Sequence, residues 1–128
     1  MRDYFLNVPI DSLMRTVVHA LKHGHPVCWE GDISEPGFDF QRGVAVLQND
    51  KADYDQLDRQ RAFETFRTTD DHCMELCGLA HDRQGNRFFI AKNSWGTGNR
   101  FGGYMYLSYQ YVKLKTLAVY ISKEAIRK

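Results

Sequence analysis

Apolar residues recur at a helical spacing near the start of the chain. Between residues 11 and 23 they follow the i, i+3, i+4, i+7 pattern that places side chains on one face of an α-helix. Asp11 or Ser12 can cap the beginning of this helix, and Gly24 can end it. The pattern predicts an N-terminal helix over residues 11–23. Its buried face is formed by Leu13, Met14, Val17, Val18, Ala20 and Leu21.

Farther along, short apolar runs bounded by Gly, Asp and Asn are typical of strands joined by turns. Two of these runs, residues 72–80 and 87–92, flank the turn-forming residues 82–86 and predict a hairpin. The remaining predictions are a strand at 26–33, a short extended piece at 44–47 within the loop 34–50, a short second helix at 56–66, and strands at 105–109 and 117–121.

Composition and charge narrow the class of protein. With 128 residues, of which 43% are hydrophobic, the chain can bury the core of a single domain spanning residues 1–128. Its net charge of +1, with both signs interspersed, gives no footprint for nucleic acid or for an anionic membrane surface. We find no apolar window long enough to span a bilayer and no signal-peptide core at residues 1–6.

The three cysteines leave one thiol unpaired whatever the pairing. Cys73 and Cys77 lie on one predicted strand, where the geometry disfavours a disulfide. Reduced thiols are typical of a reducing compartment, so we expect a cytoplasmic protein.

The predicted hairpin suggests a catalytic pair. His72 opens its first strand and Asn93 follows its second, so antiparallel pairing would bring imidazole and carboxamide together although they lie 21 residues apart. An Asn oxygen that accepts a hydrogen bond from one ring nitrogen leaves the other nitrogen facing a nucleophile, and Trp95 can shield that bond from water. The usual nucleophile for such a pair is a thiol. Asp71 would raise the pKa of the imidazole or, as we favour, serve as a turn residue.

Two other clusters resemble metal sites. His19 and His23 lie one helical turn apart with His25 nearby, but no Cys or acidic residue completes a zinc site, so a solvated helix flank is favoured. The acidic cluster Asp50, Asp53, Asp55 and Asp58 lacks the Gly and the final Glu of a calcium loop, which favours a solvated edge. We therefore expect no metal and no cofactor.

The order of motifs resembles the papain-like cysteine peptidases. The similarity rests on His72 and its strand with Gly78, on the Lys-Asn-Ser-Trp-Gly segment at 92–96, and on the Gly-Tyr strand that begins at Gly103. The resemblance implies His72 as general base, Asn93 as its orienting residue and Trp95 as a supporting residue. It also implies an α+β fold, the right-hand half of the papain-like fold, with an antiparallel, barrel-like sheet, one N-terminal helix and a short second helix.

A looser similarity, over residues 7–11 and 24–36, points to the bleomycin hydrolase and bacterial aminopeptidase C branch. That branch implies a peptide substrate for the full-length enzyme, a tendency to form hexamers, and a C-terminal arm that restricts the cleft to free amino termini. This chain departs from the family pattern in two respects. It has Asn99-Arg100-Phe101 where a second Trp is usual, and it has few residues after its last strand for such an arm.

The nucleophilic Cys of the family, on a helical left-hand domain, and the Gln before it have no match. Cys28 is followed by Trp29, as in the family, but no helical pattern comes after it and too few residues separate it from His72 to hold that domain. We expect the chain alone to be inactive, as the C-terminal part of a larger peptidase, half of a split enzyme or a non-catalytic binding module. A small Cys-His hydrolase using Cys28 is a further alternative. We also expect a bare apolar face toward the missing N-terminal domain, where homo-oligomers or aggregates would form.

Overall fold

The computed structural model describes residues 8–47 and 71–122, which form two helices and seven strands. The helices are α1 (Ile10–Lys22) and α2 (Tyr109–Lys115). The strands are β1 (Val27–Asp32), β2 (Phe38–Asp39), β3 (Val44–Ala45), β4 (Asp71–His81), β5 (Arg87–Lys92), β6 (Tyr104–Ser108) and β7 (Thr116–Tyr120).

The seven strands make one curled sheet in the order β2-β3-β6-β5-β4-β1-β7. Every pair is antiparallel except β3 and β6, which run parallel with Val44 opposite Tyr106. The α+β fold class is therefore confirmed, whereas the expectation of a purely antiparallel sheet is corrected at this pair. Parallel pairing requires a long connection, and a pairing between segments so far apart in sequence leaves no local signal.

The start of helix α1 differs from the prediction, whereas its end agrees with it. It begins at Ile10, which is 2% exposed, after Pro9 in an extended conformation with no side-chain cap. The predicted cap at Asp11 or Ser12 is therefore wrong, because burying Ile10 extends the helix toward Pro9. The predicted end at Gly24 is confirmed. Gly24 has φ of 79°, and the N–H groups of Gly24 and His25 return to the last turn, a Schellman arrangement that glycine adopts without steric cost.

The core lies between the apolar face of α1 and the inner face of the sheet. Trp29, Met74, Phe89 and Leu107 are buried there, each from a different strand. Strand β4 carries a bulge at Cys77. In the pairing with β5, Leu76 lies opposite Ala91 and Gly78 opposite Ile90, so Cys77 is the extra residue. Residues 72, 74 and 76 therefore share the inner face, and beyond the bulge the alternation is reversed.

Helix α2 is not predicted from the sequence. The pattern predicts a strand that ends at Tyr109 and no helix or strand at residues 110–116. The hydroxyl of Ser108 accepts the backbone N–H of Tyr111 at 3.0 Å and caps the helix. Tyr111 is fully buried, and its hydroxyl donates to the backbone carbonyl of Asp32 at 2.7 Å. Burial, with smaller effects of Asp32 and Glu35, raises the pKa of Tyr111.

The short helix predicted at 56–66 and the acidic cluster at 50–58 lie outside the described residues. Neither α1 nor α2 is long and apolar enough to cross a membrane. Cys28, Cys73 and Cys77 are reduced thiols, as predicted.

Candidate active site

The hairpin of β4 and β5 is present as predicted, and its turn is well bonded. The Asp82 carboxylate accepts the backbone N–H groups of Gln84 and Asn86 and the side-chain amide of Asn86, and Gly85 has φ of 86°. The side-chain hydrogen bond from Asn86, with those backbone N–H groups, lowers the pKa of Asp82. This turn fixes the register that brings the opposite ends of the two strands together.

At those ends His72 and Asn93 meet. His72 Nε2 lies 2.8 Å from Asn93 Oδ1. Because a carboxamide oxygen only accepts hydrogen bonds, the proton of neutral His72 resides on Nε2, and Nδ1 presents its lone pair. The predicted contact is therefore confirmed, and an imidazole in this tautomer is suited to take a proton from a group placed at Nδ1.

The orientation of the Asn93 amide is fixed by three further bonds. Its side-chain oxygen also accepts the N–H of Ser94 at 2.7 Å, its Nδ2 donates to the sulfur of Met105 at 3.6 Å, and its backbone N–H donates to Gly103. Asn93 is 5% exposed and Met105 is fully buried. An amide with a donor partner on one side and an acceptor partner on the other is held against flipping. Sequence reasoning missed Met105, for which an apolar strand position gives no signal.

Trp95 packs against His72. Its ring centroid lies 4.7 Å from that of His72, and its ring meets the edges of Phe38 at 6.0 Å and Phe40 at 5.3 Å. Trp95 remains 47% exposed, so one face of the indole is open to solvent or to a partner. The predicted contact of Trp95 with His72 is present, and the shielding of the His72–Asn93 hydrogen bond from water stays a prediction. Phe38 and Phe40 were not predicted, because they lie far from Trp95 in sequence.

Asn99 organises the loop that leads from Trp95 back to β6. Its Nδ2 donates to the carbonyls of Phe40 and Tyr104, and its Oδ1 accepts the N–H groups of Phe101 and Gly103. Asn99 stands in the region where the resembled family usually has a second Trp. A polar network therefore shapes this loop.

The cysteines of the chain do not face the imidazole. Cys28 pairs with Glu75 and Cys73 with Glu30, and these side chains alternate with the buried Trp29 and Met74. Cys28 and Cys73 therefore lie on the outer face of the sheet, whereas His72 lies on the inner face. Cys77 is exposed at the bulge and donates to the Ile90 carbonyl, and burial raises the pKa of its thiol. The geometry contradicts the alternative of a small hydrolase built on Cys28 and His72.

The other candidates do not join this site. Asp71 is the first residue of β4, so its assignment to a turn is wrong. His23 is exposed, whereas His19 is half-buried and packs on His23 with ring centroids 4.2 Å apart, so only part of the predicted flank is solvated. In residues 8–47 and 71–122 no group of three or more His, Cys, Asp or Glu side chains could hold a metal ion.

Comparisons with known proteins agree with this geometry. Residues 2–128 match the model of the Peptidase C1-like family. Aminopeptidase G of Lactobacillus delbrueckii subsp. lactis is 26% identical over 131 residues, which cover 97% of this chain and 29% of that protein. The crystal structure of PepW from Lactobacillus rhamnosis matches with a TM-score of 0.66 and 24% identity over 94% of this chain and 28% of that one.

A more distant structural match is the proform of the Amb a 11 cysteine protease, a ragweed pollen allergen. Its TM-score is 0.52 at 18% identity, with 88% of this chain and 30% of that one covered. At these identities the two structures establish the fold alone. The chain thus spans less than a third of the length of the relatives that it matches.

Proposed function

Because the chain belongs to the Peptidase C1-like family, we propose that it supplies the general-base half of a cysteine peptidase active site. The observation that carries this proposal is the 2.8 Å contact between His72 Nε2 and Asn93 Oδ1, beside which the Trp95 ring packs at a tilt against the imidazole. Among residues 8–47 and 71–122 no hydrogen bond to Nδ1 is formed. The chain is a domain related to cysteine peptidases. We assign catalytic roles to His72 and Asn93.

In the proposed mechanism His72 Nδ1 accepts the proton of a cysteine thiol, and the thiolate attacks the peptide carbonyl. The imidazolium then gives its proton to the leaving amine, which regenerates the neutral imidazole and leaves a thioester. In the second half of the reaction the imidazole takes a proton from the water that attacks the thioester, and it returns that proton to the departing cysteine sulfur. Asn93 holds the ring plane and the tautomer through both transfers. Trp95 limits the access of water to the hydrogen bond on which that orientation depends.

The nucleophile must come from outside this chain. Cys28 and Cys73 lie on the sheet face opposite His72, and Cys77 is five positions farther along β4, roughly 15 Å away. We therefore propose that the chain acts with a separate helical domain that carries a Cys and an oxyanion-binding Gln, and that it is inactive without it. That the chain covers only 29% of Aminopeptidase G supports this view.

We propose aminopeptidase activity for the whole assembly, with peptides bearing a free amino terminus as substrates. The support is the resemblance to the aminopeptidase C and bleomycin hydrolase branch, together with the name of the relative, Aminopeptidase G. Assembly as a hexamer and location in the cytoplasm are further predictions from the resemblance and from the free thiols.

The partner domain would rest on the face around Trp95. Trp95 is 47% exposed and is backed by the half-buried rings of Phe38 and Phe40, so an aromatic surface borders His72. Aromatic side chains of this kind are enriched at protein interfaces. We expect the isolated chain to self-associate through this face, and light scattering that shows a monomer over a wide concentration range would contradict this.

A labelling experiment tests the proposed function. A peptidyl fluoromethyl ketone, which alkylates activated cysteines, should leave the isolated chain unlabelled. After the chain is joined with the segment encoded upstream of Met1, or with a separately encoded domain containing Gln and Cys, the probe should label the added Cys. In that complex His72→Ala should lower kcat by about 10²–10⁴-fold, whereas His81→Ala, a matched change at an exposed histidine on the same strand, should leave it unchanged.

Two results would refute the proposal. Labelling of Cys28 in the isolated chain, abolished by His72→Ala, would establish the self-contained hydrolase. Full activity of the complex after His72→Ala would show that His72 is not the base and would leave the chain as a binding module.

A further inference from the structure

A cavity away from the His72–Asn93 pair lies on the outer face of the sheet. It is a cavity of about 460 Å³ between β3, the tip of the β4–β5 hairpin, β6 and the loop that precedes β6. This volume falls within the range of small-molecule sites. Nothing in the proposed peptidase mechanism uses this cavity.

The floor of the cavity belongs to the face opposite His72. Val44 pairs with Tyr106 and Ala80 pairs with Phe88, and all four are half-buried. Their neighbours Ala45, Leu107 and Phe89 are fully buried in the core. Because side chains alternate between faces, the four residues point away from the core and from the inner face that carries His72.

The apolar wall of the cavity is made of aromatic rings. Phe101 meets Tyr106 edge to face, with ring centroids 5.1 Å apart, and Phe101 is 38% exposed. Its ring lies against the backbone of Gly43, where an added Cβ would come within 2.3 Å of a ring carbon. Gly43 also has φ of 74°, which other residues rarely adopt. The local backbone therefore fixes the position of the Phe101 ring.

Two arginines stand at the rim of the cavity. The side chains of Arg42 and Arg100 border the cavity, and in the part of the chain that the structure describes neither guanidinium forms an ion pair. Arg100 lies over the Phe101 ring at 5.5 Å. Among the residues that the structure describes, Asp82 is the acidic residue that borders the cavity, and its carboxylate accepts the backbone and side-chain N–H groups of the hairpin turn. Asp39 lies nearby, but its carboxylate accepts the backbone N–H of Arg42.

We propose that this cavity binds a small, flat aromatic carboxylate. The ring of the ligand would stack on Phe101 and meet Tyr106 edge to face, and its carboxylate would accept hydrogen bonds from Arg42 and Arg100. A guanidinium presents paired donors that match a carboxylate, and one that is already stacked on a ring is held in place for that contact. Both arginines are exposed, so solvent screens them and the affinity is modest.

The probe for this proposal is 2-naphthoate, tested with the full 128-residue chain by equilibrium dialysis. We expect saturable binding with a Kd on the order of 0.1–1 mM, the range for a ligand of this size. The uncharged 2-naphthamide should bind at least about tenfold more weakly, because it lacks the charge that the guanidinium groups recognise.

Variants locate the site. Arg42→Gln and Arg100→Gln should each weaken binding of 2-naphthoate by about tenfold. Arg15→Gln, which removes an equally exposed arginine from α1, should leave the Kd unchanged. An unaltered circular dichroism spectrum shows that each variant is folded.

The proposal is overturned if 2-naphthoate shows no saturation at about ten times the expected Kd, or if naphthoate and naphthamide bind equally. It is also overturned if Arg15→Gln weakens binding as much as Arg42→Gln, since the effect would then be one of net charge. None of these results depends on peptidase activity, so this site and the proposed function can fail separately.

Discussion

Replacing Asn93 with alanine tests the tautomer of His72 directly. In the native chain Nε2 donates to Asn93 Oδ1 at 2.8 Å, in a site where Asn93 is 5% exposed. A hydrogen bond between neutral groups contributes about 1 kcal/mol net. Its loss should lower the ratio of the Nε2–H to the Nδ1–H tautomer by about fivefold, because 1.4 kcal/mol corresponds to a factor of ten.

The assay is the pair of ¹⁵N chemical shifts of the His72 imidazole, which report the tautomer, recorded at a pH where the ring is neutral. It needs no nucleophile and therefore works on the isolated chain. Gln84→Ala removes an exposed carboxamide from the turn of the same hairpin and keeps the backbone N–H that bonds Asp82, so this matched control should leave the His72 shifts unchanged. If Asn93→Ala leaves the tautomer ratio within about twofold of the native value, the orienting role assigned to Asn93 is refuted.

Three other perturbations have defined outcomes. Met105→Leu keeps the volume but removes the sulfur acceptor of the Asn93 amide, so the Asn93 side-chain protons should exchange faster in NMR spectra, while the free energy of unfolding falls by less than about 1.5 kcal/mol. Tyr111→Phe leaves the buried carbonyl of Asp32 without its hydroxyl donor and should cost about 1–3 kcal/mol in urea unfolding. Asp82 has a pKa below its usual 3.8 in the folded chain, so its carboxylate stabilises the folded state above the unfolded pKa. That contribution is lost as pH falls through the folded pKa, and the hairpin amides should titrate with a midpoint below 3.8.

Matched variants separate these effects from general loss of stability. Met14→Leu changes a buried methionine in α1 whose sulfur is not the acceptor of the Asn93 amide, so the exchange of the Asn93 amide should not change. Tyr120→Phe removes an exposed hydroxyl and should alter the free energy of unfolding by less than about 0.5 kcal/mol. Asp82→Asn should abolish the acid titration of the hairpin amides. The opposite result in any of these controls would contradict the corresponding assignment.

Sequence alone predicts the hairpin and the His72–Asn93 contact because their signals are local. Turn residues at 82–86 fix the register, and register in turn fixes which strand ends meet. The same local reasoning fails at α2. The run Tyr-Gln-Tyr-Val at 109–112 alternates as a strand does, and the single helix signal is Ser108, whose capping role depends on the direction in which the chain turns.

Contacts made across the fold leave still less trace in the sequence. The rings of Phe38 and Phe40 that hold Trp95, the parallel pairing of Val44 with Tyr106, and the sulfur that Asn93 uses are fixed by tertiary packing. In the sequence each of these residues is an ordinary apolar position. The candidate site is therefore predictable in His72, Asn93 and Trp95, and unpredictable in the residues that hold Asn93 and Trp95 in place.

Strand β1 connects the core to the position of His72. Gly31 pairs with His72, and a Cβ on Gly31 would lie 2.1 Å from the Trp29 ring, so the indole packs directly on this backbone. Trp29 is fully buried, and its Nε1 donates to Thr116 at 2.7 Å, while the Thr116 hydroxyl donates to the Val112 carbonyl in the last turn of α2. Helix α2 contributes no residue to the site, but through Thr116 and Trp29 it helps to position β1. The pairing of Gly31 with His72 then passes that position on to the imidazole. A base held this way is positioned before any nucleophile arrives, so the entropy of orienting it is lost on folding and not during the reaction.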